Sequence, residues 1–425
     1  MEQKKNYTVP IIMMFALFAM ISFVTGLSSP FGVIVKNQFG ASNFMSQLGT
    51  FANFFAYLFM GLPAGLMLKK IGYKKSALIA IVVGFVGVFL MYLSGVVQSF
   101  GVYLIGAFVG GFSMCMLNTV VNPMLNTLGG GGKKGNRLLQ FGGSINSLSA
   151  TIVPVLGGYL IGNVATATIS NADPALYIAM GIFAVVFLVL TMVRIPEPHI
   201  ETEVAKEKAK HSPLAFRHFV LGAIAIFIYV GVEVGFDRFV NLFLTTPAAG
   251  NGFGMDPTKA GAVVGTYWFL MMIGRLSGGI LGGKVSAKAM VGTATGIAAI
   301  LTIFAIYLPV TSLVNMPVFR SDISFGMAQV PVSVLLLVLC GLCTSVMWGG
   351  IFNLATEGLG KYTAMGSGIF MMMVFGGGVL PLIQGAVADS FGFMASFWVI
   401  LIGVLYMFYY ALVGSKNVNK NIPVD

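Results

Sequence analysis

Residues Pro196-Glu197-Pro198-His199-Ile200-Glu201-Thr202-Glu203-Val204-Ala205-Lys206-Glu207-Lys208-Ala209-Lys210-His211-Ser212 form the one long hydrophilic stretch in this chain. Apolar runs close in on both sides of it, 175–195 before and 216–246 after. Working outward, charges, Gly/Pro pairs and polar clusters divide the rest into further runs. Those before the stretch cover approximately 10–35, 45–68, 76–97, 100–128, 138–162 and 175–195. Those after it cover 216–246, 257–283, 288–309, 329–357, 362–388 and 393–414. Six lie on each side, so the charged stretch divides the chain at its middle.

The composition requires a bilayer. Of 425 residues, 57% are hydrophobic and only 9% are charged, where a soluble domain carries about 25%. So few charges cannot cover the surface of a soluble protein this size. A transmembrane helix uses about 20 apolar residues, and twelve of them would consume nearly the whole apolar inventory. A soluble enzyme, a secreted module and a single-anchor receptor are excluded. The N-terminal run follows Lys4 and Lys5 and is longer than the apolar core of a cleavable signal, so it is expected to remain as the first span. Three Cys make no disulfide framework, and Cys340 and Cys343 lie inside an apolar run as packing residues. All three His (His199, His211, His218) lie in or beside the hydrophilic stretch, so a buried histidine relay or a His-bound metal is not expected.

The net charge of +11 has a location rather than a nucleic-acid partner. With both termini inside, the inner segments hold Lys4, Lys5, Lys69, Lys70, Lys74, Lys75, Lys133, Lys134, Arg137, Arg194, Lys206, Lys208, Lys210, Arg217, Lys284, Lys288, Lys361, Lys416 and Lys420, 19 of the 24 basic residues. The outer segments hold only Lys36, Lys259 and Arg320. That asymmetry follows the positive-inside rule for twelve spans with cytoplasmic ends. The expected division is a half over 1–195, a cytoplasmic linker over 196–214 and a second half over 215–425. The halves echo each other: Pro154-Val155-Leu156-Gly157-Gly158 in the fifth run answers Pro381-Leu382-Ile383-Gln384-Gly385 in the eleventh.

Ionisable groups inside the runs point to function, because each is costly in hydrocarbon unless paired or hydrated. Glu233, Asp237 and Arg238 fall together in Tyr229-Val230-Gly231-Val232-Glu233-Val234-Gly235-Phe236-Asp237-Arg238. Glu233 and Asp237, four apart, share a helix face. Glu233 is expected to face a cavity and bind substrate hydroxyls or a coupling cation, with Asp237 the second coupling candidate; the alternative is an ion pair that fixes helix packing. Arg275 and Glu357 are expected to pair with each other as a gate or structural tie. Asp389 ends the eleventh run and is expected at the interface. Amides are abundant at membrane depth: Asn53, Asn118, Asn122, Asn126, Gln140, Asn146, Asn353 and Gln384. An amide both donates and accepts, which suits neutral sugar hydroxyls, though helix–helix hydrogen bonding is the equal alternative for any one of them. Trp268, Trp348, Tyr57 and Tyr267 could stack on an apolar sugar face. No cluster of Arg and Lys within the runs could hold a phosphate or carboxylate. Gly129 to Gly132 before Lys133-Lys134 lacks the spacing of a phosphate-binding loop, since Thr127 stands at its first glycine position. No nucleotide site, metal or cofactor is expected, and no nucleophile–base set marks an enzyme.

The segment Gly65-Leu66-Met67-Leu68-Lys69-Lys70-Ile71-Gly72-Tyr73-Lys74-Lys75 resembles the signature loop of the major facilitator superfamily, except that Lys69 takes its acidic position. The six-plus-six layout matches that all-helical fold, whose site lies between two pseudo-symmetric halves near the midplane. More narrowly, Leu117-Asn118-Thr119-Val120-Val121-Asn122-Pro123, Ser144-Ile145-Asn146-Ser147, Pro63-Ala64-Gly65, Ile273-Gly274-Arg275 and Gly376-Gly377-Gly378-Val379-Leu380-Pro381 are similar to the fucose permease family, the fucose–galactose–glucose:proton symporters. The resemblance implies import of a neutral monosaccharide across a bacterial inner membrane, by a monomer, through alternating access. It carries a sugar-contacting asparagine onto Asn146 and a polar span-seven position onto Glu233. The substrate-binding set expected is then Asn118, Asn122, Asn146, Gln140, Glu233, Trp268, Trp348 and Asn353. The family's two coupling acids fall, counted without gaps from Pro63, on Ser29 and Asn118, and neither can titrate. Coupling to H+ or Na+ is therefore expected at Glu233. An uncoupled sugar facilitator, or an exporter of drugs or lipids, is the alternative.

Overall fold

The computed structural model describes residues 7–128, 132–161, 167–197, 212–281, 285–320, 324–359, 362–419 and 421–422. The charged body of the linker, residues 198–211, and the glycines at 129–131 lie outside them. The described chain is nearly all helix. The first group of helices is α1 (Thr8–Gln38), a short α2 (Asn43–Ser46), α3 (Leu48–Val96), α4 (Phe100–Leu128), α5 (Gly132–Ile161) and α6 (Asp173–Met192). The second is α7 (Arg217–Thr245), α8 (Pro257–Leu281), α9 (Ala287–Tyr307), α10 (Val332–Thr344), α11 (Met347–Thr356), α12 (Thr363–Met373), α13 (Gly376–Phe391) and α14 (Phe393–Tyr409), which ends in a π turn at Tyr410–Gly414.

Among the described residues, eleven helices are long and apolar enough to cross a membrane. The expected fifth run is a helix too, the thirty residues of α5, but it is not one of the eleven. It opens on Gly132-Lys133-Lys134-Gly135-Asn136-Arg137, and Ser144, Asn146, Ser147, Ser149 and Thr151 follow along its length. At 1.5 Å per residue it spans about 45 Å. Two other boundaries also moved. The tenth run begins with the end of a strand, because Leu313–Phe319 (β1) and Phe325–Pro331 (β2) form an antiparallel hairpin pairing Val314 with Val330 and Met316 with Ala328. Phe319 N–H donates to Thr266 Oγ1 at 2.9 Å, and the Phe319 ring stacks on Phe269 at 5.2 Å, which fastens the hairpin to α8. The second and third runs join as α3, bent at Gly72, whose φ of 83° is open to glycine at little cost.

That bend defines one face of the molecule. Glu197, at the start of the linker, accepts hydrogen bonds from the backbone N–H groups of Tyr73 and Lys74. A carboxylate 123 residues further along the chain thus caps the backbone just after the bend. Lys74 Nζ donates to the carbonyls of Thr191 and Val193 at 2.8 Å each, closing the C-terminal end of α6. A Cβ at Gly72 would press on the Glu197 carboxylate and force a side chain to positive φ. Gly72→Ala is expected to cost about 1–3 kcal/mol, read as a lower thermal midpoint in detergent.

Helices before the linker pack on one another, with α3 along α4 and α6, and α1 on α4, α5 and α6. Helices after it do likewise, with α7 against α11, α13 and α14, and α10 against α8 and α9. The two groups meet where α5 lies on α8, α3 on α12 and α13, α2 on α13 and α1 on α7. Large apolar side chains remain exposed on the outer faces, such as Val185, Leu188 and Met192 on α6 and Ile300 and Phe304 on α9. That inverted pattern suits a lipid surround, where helices satisfy every backbone group internally. The face holding Gly72 and the linker ends is called the linker face, and the one holding β1–β2 the hairpin face.

Candidate functional site

α7 sets the geometry. Tyr229, Glu233 and Asp237 recur every four residues, so one stripe of the helix carries all three. Tyr229 donates its hydroxyl to Glu233 Oε1 at 2.8 Å. From α8, Arg275 Nη2 reaches the same Oε1 at 3.2 Å, forming an ion pair whose side chains are only 14% and 13% exposed. The other guanidinium arm crosses to the first helix group, where Arg275 Nη1 donates to Gly143 O at 3.1 Å and to Ser147 Oγ at 2.8 Å on α5. Tyr267 of α8 donates to the Glu233 carbonyl at 3.4 Å and lies 3.1 Å from Thr344 Oγ1 on α10. The Trp348 ring of α11 lies 6.2 Å from the Tyr229 ring.

Two charges here are removed from water, which costs several kcal/mol per ion. Their attraction at 3.2 Å is about 5 kcal/mol at an effective dielectric constant of 20. The pair alone therefore roughly breaks even, and the donors around it decide the balance. Tyr229, Gly143 and Ser147 complete the shell, so the buried pair is held by hydrogen bonds as much as by charge.

One turn further along α7, Asp237 Oδ1 accepts from Trp268 Nε1 at 3.0 Å, and Arg238 Nη1 lies 3.7 Å from Asp237 Oδ2. Both charged groups are buried, and Arg238 Nε and Nη1 have no hydrogen-bond partner. In the first helix group, Asn118 of α4 donates to Tyr57 Oη of α3 at 3.1 Å and to Met114 O at 3.0 Å. Asn122 donates back to Asn118 O at 2.8 Å, and Asn146, next to Ser147, donates to Phe18 O at 3.4 Å.

The structure thus brings Glu233, Trp348 and Arg275 into one cluster, links Asp237 to Trp268, and sets Asn146 beside the Arg275 contact on α5. Asn353 is exposed on α11 and takes no part in that cluster. The side chains of Gln140 and Ser29 lie outside the described ones. The expected Arg275–Glu357 pair is corrected: Arg275 is committed to Glu233 at 3.2 Å. Arg275 lies inside α8 at the level of Glu233 and Ser147, whereas Glu357 follows α11 at the linker face, exposed, with its carbonyl 2.9 Å from His218 Nε2. Sequence reasoning passed over Tyr229 and Ser147. Tyr229 was legible as the residue four before Glu233; the reach of Arg275 to α5 depends on how two helix groups meet, which no spacing encodes. Among the described residues no group of three His, Cys, Asp or Glu could hold a metal ion.

The sequence profile of the Major Facilitator Superfamily matches residues 13–374. The chain belongs to the major facilitator superfamily. Within this superfamily the chain is 31% identical over 422 residues to a glucose/galactose transporter of Brucella abortus biovar 1, covering 98% of this chain and 96% of that protein. It is 23% identical to the L-fucose-proton symporter of Escherichia coli K12, covering 92% and 89%. The crystal structure of FucP in the outward conformation superposes with a TM-score of 0.71 at 21% identity, covering 97% of this chain and all of that one. The fucose permease-like resemblance is thereby shown, and this facilitator chain is a transporter rather than an enzyme.

Proposed function

We propose that the chain imports a neutral hexose or deoxyhexose of the glucose, galactose or fucose class by alternating access, with Glu233 as the coupling acid. The observation that carries this reading is the balance of charge at the junction of the two helix groups. Glu233 and Arg275 cancel at 3.2 Å, leaving hydroxyls, amides and the rings of Trp348 and Trp268 to meet a substrate. Neutral donors, acceptors and aromatic faces suit a polyhydroxylated ring, whereas an anionic or cationic substrate would need a surplus charge. Asn146 and Glu233 are the positions we assign to sugar contact from the two sides. Asn118 and Asn122 are the further amides assigned to substrate from the structure, Gln140 and Asn353 are assigned from the sequence pattern alone, and Asp237 with its Trp268 contact is the reserve coupling candidate.

Support also comes from the names of the relatives, a glucose/galactose transporter and a fucose-proton symporter, each matched along nearly the whole chain. In this reading the halves 1–195 and 215–425 rock about the 196–214 linker, and α5 serves as the fifth of twelve spans. The basic linker face is cytoplasmic, in a bacterial inner membrane, and the unit is a monomer. The coupling ion is H+ or Na+. One observation favours a second reading, uncoupled facilitation: Arg275 already neutralises Glu233.

Reconstitution into proteoliposomes separates these readings. A panel of D-glucose, D-galactose, D-mannose and L-fucose is offered with pH and sodium gradients imposed one at a time. Saturable uptake and counterflow of at least one of these sugars is expected, with accumulation driven by one gradient. Counterflow without accumulation would establish the facilitator, and absence of counterflow for every sugar would overturn the substrate class.

A further inference from the structure

The described hydrogen bonds that join the two helix groups lie in two places. At mid-depth, Arg275 reaches Gly143 and Ser147. The others are at the hairpin face. On the linker face the described hydrogen bonds stay within a group: Glu197 to Tyr73 and Lys74, Lys74 to Thr191 and Val193, Arg217 N–H to Asn419, and His218 with Glu357. Among the described residues, the two groups are therefore tied by hydrogen bonds at the hairpin face.

The fastening is specific. Asp389, near the end of α13, accepts the backbone N–H of Asn43 at 2.9 Å on Oδ1 and that of Phe44 at 2.9 Å on Oδ2. These are the first two N–H groups of α2, which have no partner inside their own helix. The third, of Met45, is satisfied locally by Ser42 Oγ at 3.1 Å. A helix of four residues cannot hold itself together in water, so two of its three leading donors depend on a carboxylate from the opposite group. Gly385 makes the approach possible, because a Cβ there would lie 2.9 Å from Asn43 O and 3.0 Å from Phe44 Cα. A second tie runs alongside. Lys36 Nζ donates to Asn43 Oδ1 at 2.8 Å and to Thr246 Oγ1 at 3.2 Å, and lies 5.5 Å from the Phe393 ring centroid. Thr246 and Phe393 belong to the second group, Lys36 and Asn43 to the first. Burial pushes the Lys36 ammonium below its ordinary value, and the Asp389 carboxylate pulls it partly back.

We propose that Asp389 is the positioning residue of the hairpin-face gate: its carboxylate latches α2 to α13 when that side is closed, with Lys36 as the second tie, and the latch must release for substrate to enter from that face. Alternating access requires that this face open. Opening strips both N–H bonds from α2 together and leaves Lys36 without Thr246, so the gate releases as a unit.

The test reads the gate directly and needs no substrate, so it stands even if the sugar reading fails. Spin labels are placed at Met45 and Phe391, both exposed on the hairpin face, after the buried Cys115, Cys340 and Cys343 are replaced by Ala. Double electron–electron resonance in nanodiscs should show a dominant short distance in the otherwise unaltered chain. Asp389→Asn, which retains a single acceptor oxygen, should lower the closed-to-open ratio at least about tenfold, as expected for loss of charge-assisted bonds. Asp389→Glu should restore much of it, which a merely structural cap would not require. Thr246→Val removes only the Lys36 tie to the second group and should shift the ratio the same way by less, and it serves as the reading should Asp389→Asn not fold. An unchanged distance distribution in Asp389→Asn, or in Thr246→Val where the former does not fold, would overturn the proposal.

Discussion

Glu233→Gln is expected to abolish gradient-driven accumulation while leaving a weakened but measurable sugar exchange. The amide keeps the shape of the carboxyl, and its oxygen can still accept from Tyr229, now 2.8 Å away, and from Arg275, now at 3.2 Å. What disappears is a group able to bind and release a cation. A carrier moving one positive charge with each sugar gains about 2.3 kcal/mol from 100 mV, equivalent to about fiftyfold accumulation. The variant should equilibrate its substrate and stop there. Accumulation ratios in proteoliposomes under an imposed potential, with counterflow measured in the same vesicles, report both properties. An E233Q carrier that still concentrates sugar would move the coupling role elsewhere, with Asp237 the next site to vary.

Much of this molecule could be read from the order of its residues, because the bilayer leaves few alternatives. Apolar runs of the required length become helices in a solvent that offers no other partner to the backbone, and the described runs at 100–128, 216–246 and 257–283 became α4, α7 and α8 almost to the residue. The β1–β2 hairpin was not expected, because its strands lie almost wholly outside the apolar runs. Its signal was the alternation of buried Met316 and Val318 with exposed Asn315 and Pro317. Glu233 was legible as a charge in a run that does not tolerate one unpaired. Its partner was not: Arg275 could pair with Glu357 or with Glu233 so far as sequence goes, and only the seating of α8 against α5 and α7 decides for Glu233. Asp389 stood out in sequence as an acid at the end of the eleventh run, but its hydrogen bond to a helix 346 residues away depends on the docking of the two groups.

Arg275→Met should be the most damaging single change to the folded state, and the double variant should show why. Removing the guanidinium leaves Glu233 buried with one hydrogen bond, from Tyr229, and costs about 3–5 kcal/mol where such a pair is broken. It also strips Gly143 O and Ser147 Oγ of a donor that ties α5 to α8. Arg275→Lys keeps the charge but not the fork, so one ammonium must choose between Glu233 and α5; an intermediate loss is expected. In Glu233→Gln with Arg275→Met, both charges go, and no ion is left unpaired. The double variant should therefore recover at least about half of the stability lost in Arg275→Met, a coupling in the range found for residues in one network. Thermal midpoints of the four proteins in the same detergent complete the cycle. Simple additivity would mean that the two side chains are solvated independently rather than paired, and Arg275 would then owe its place to α5 alone.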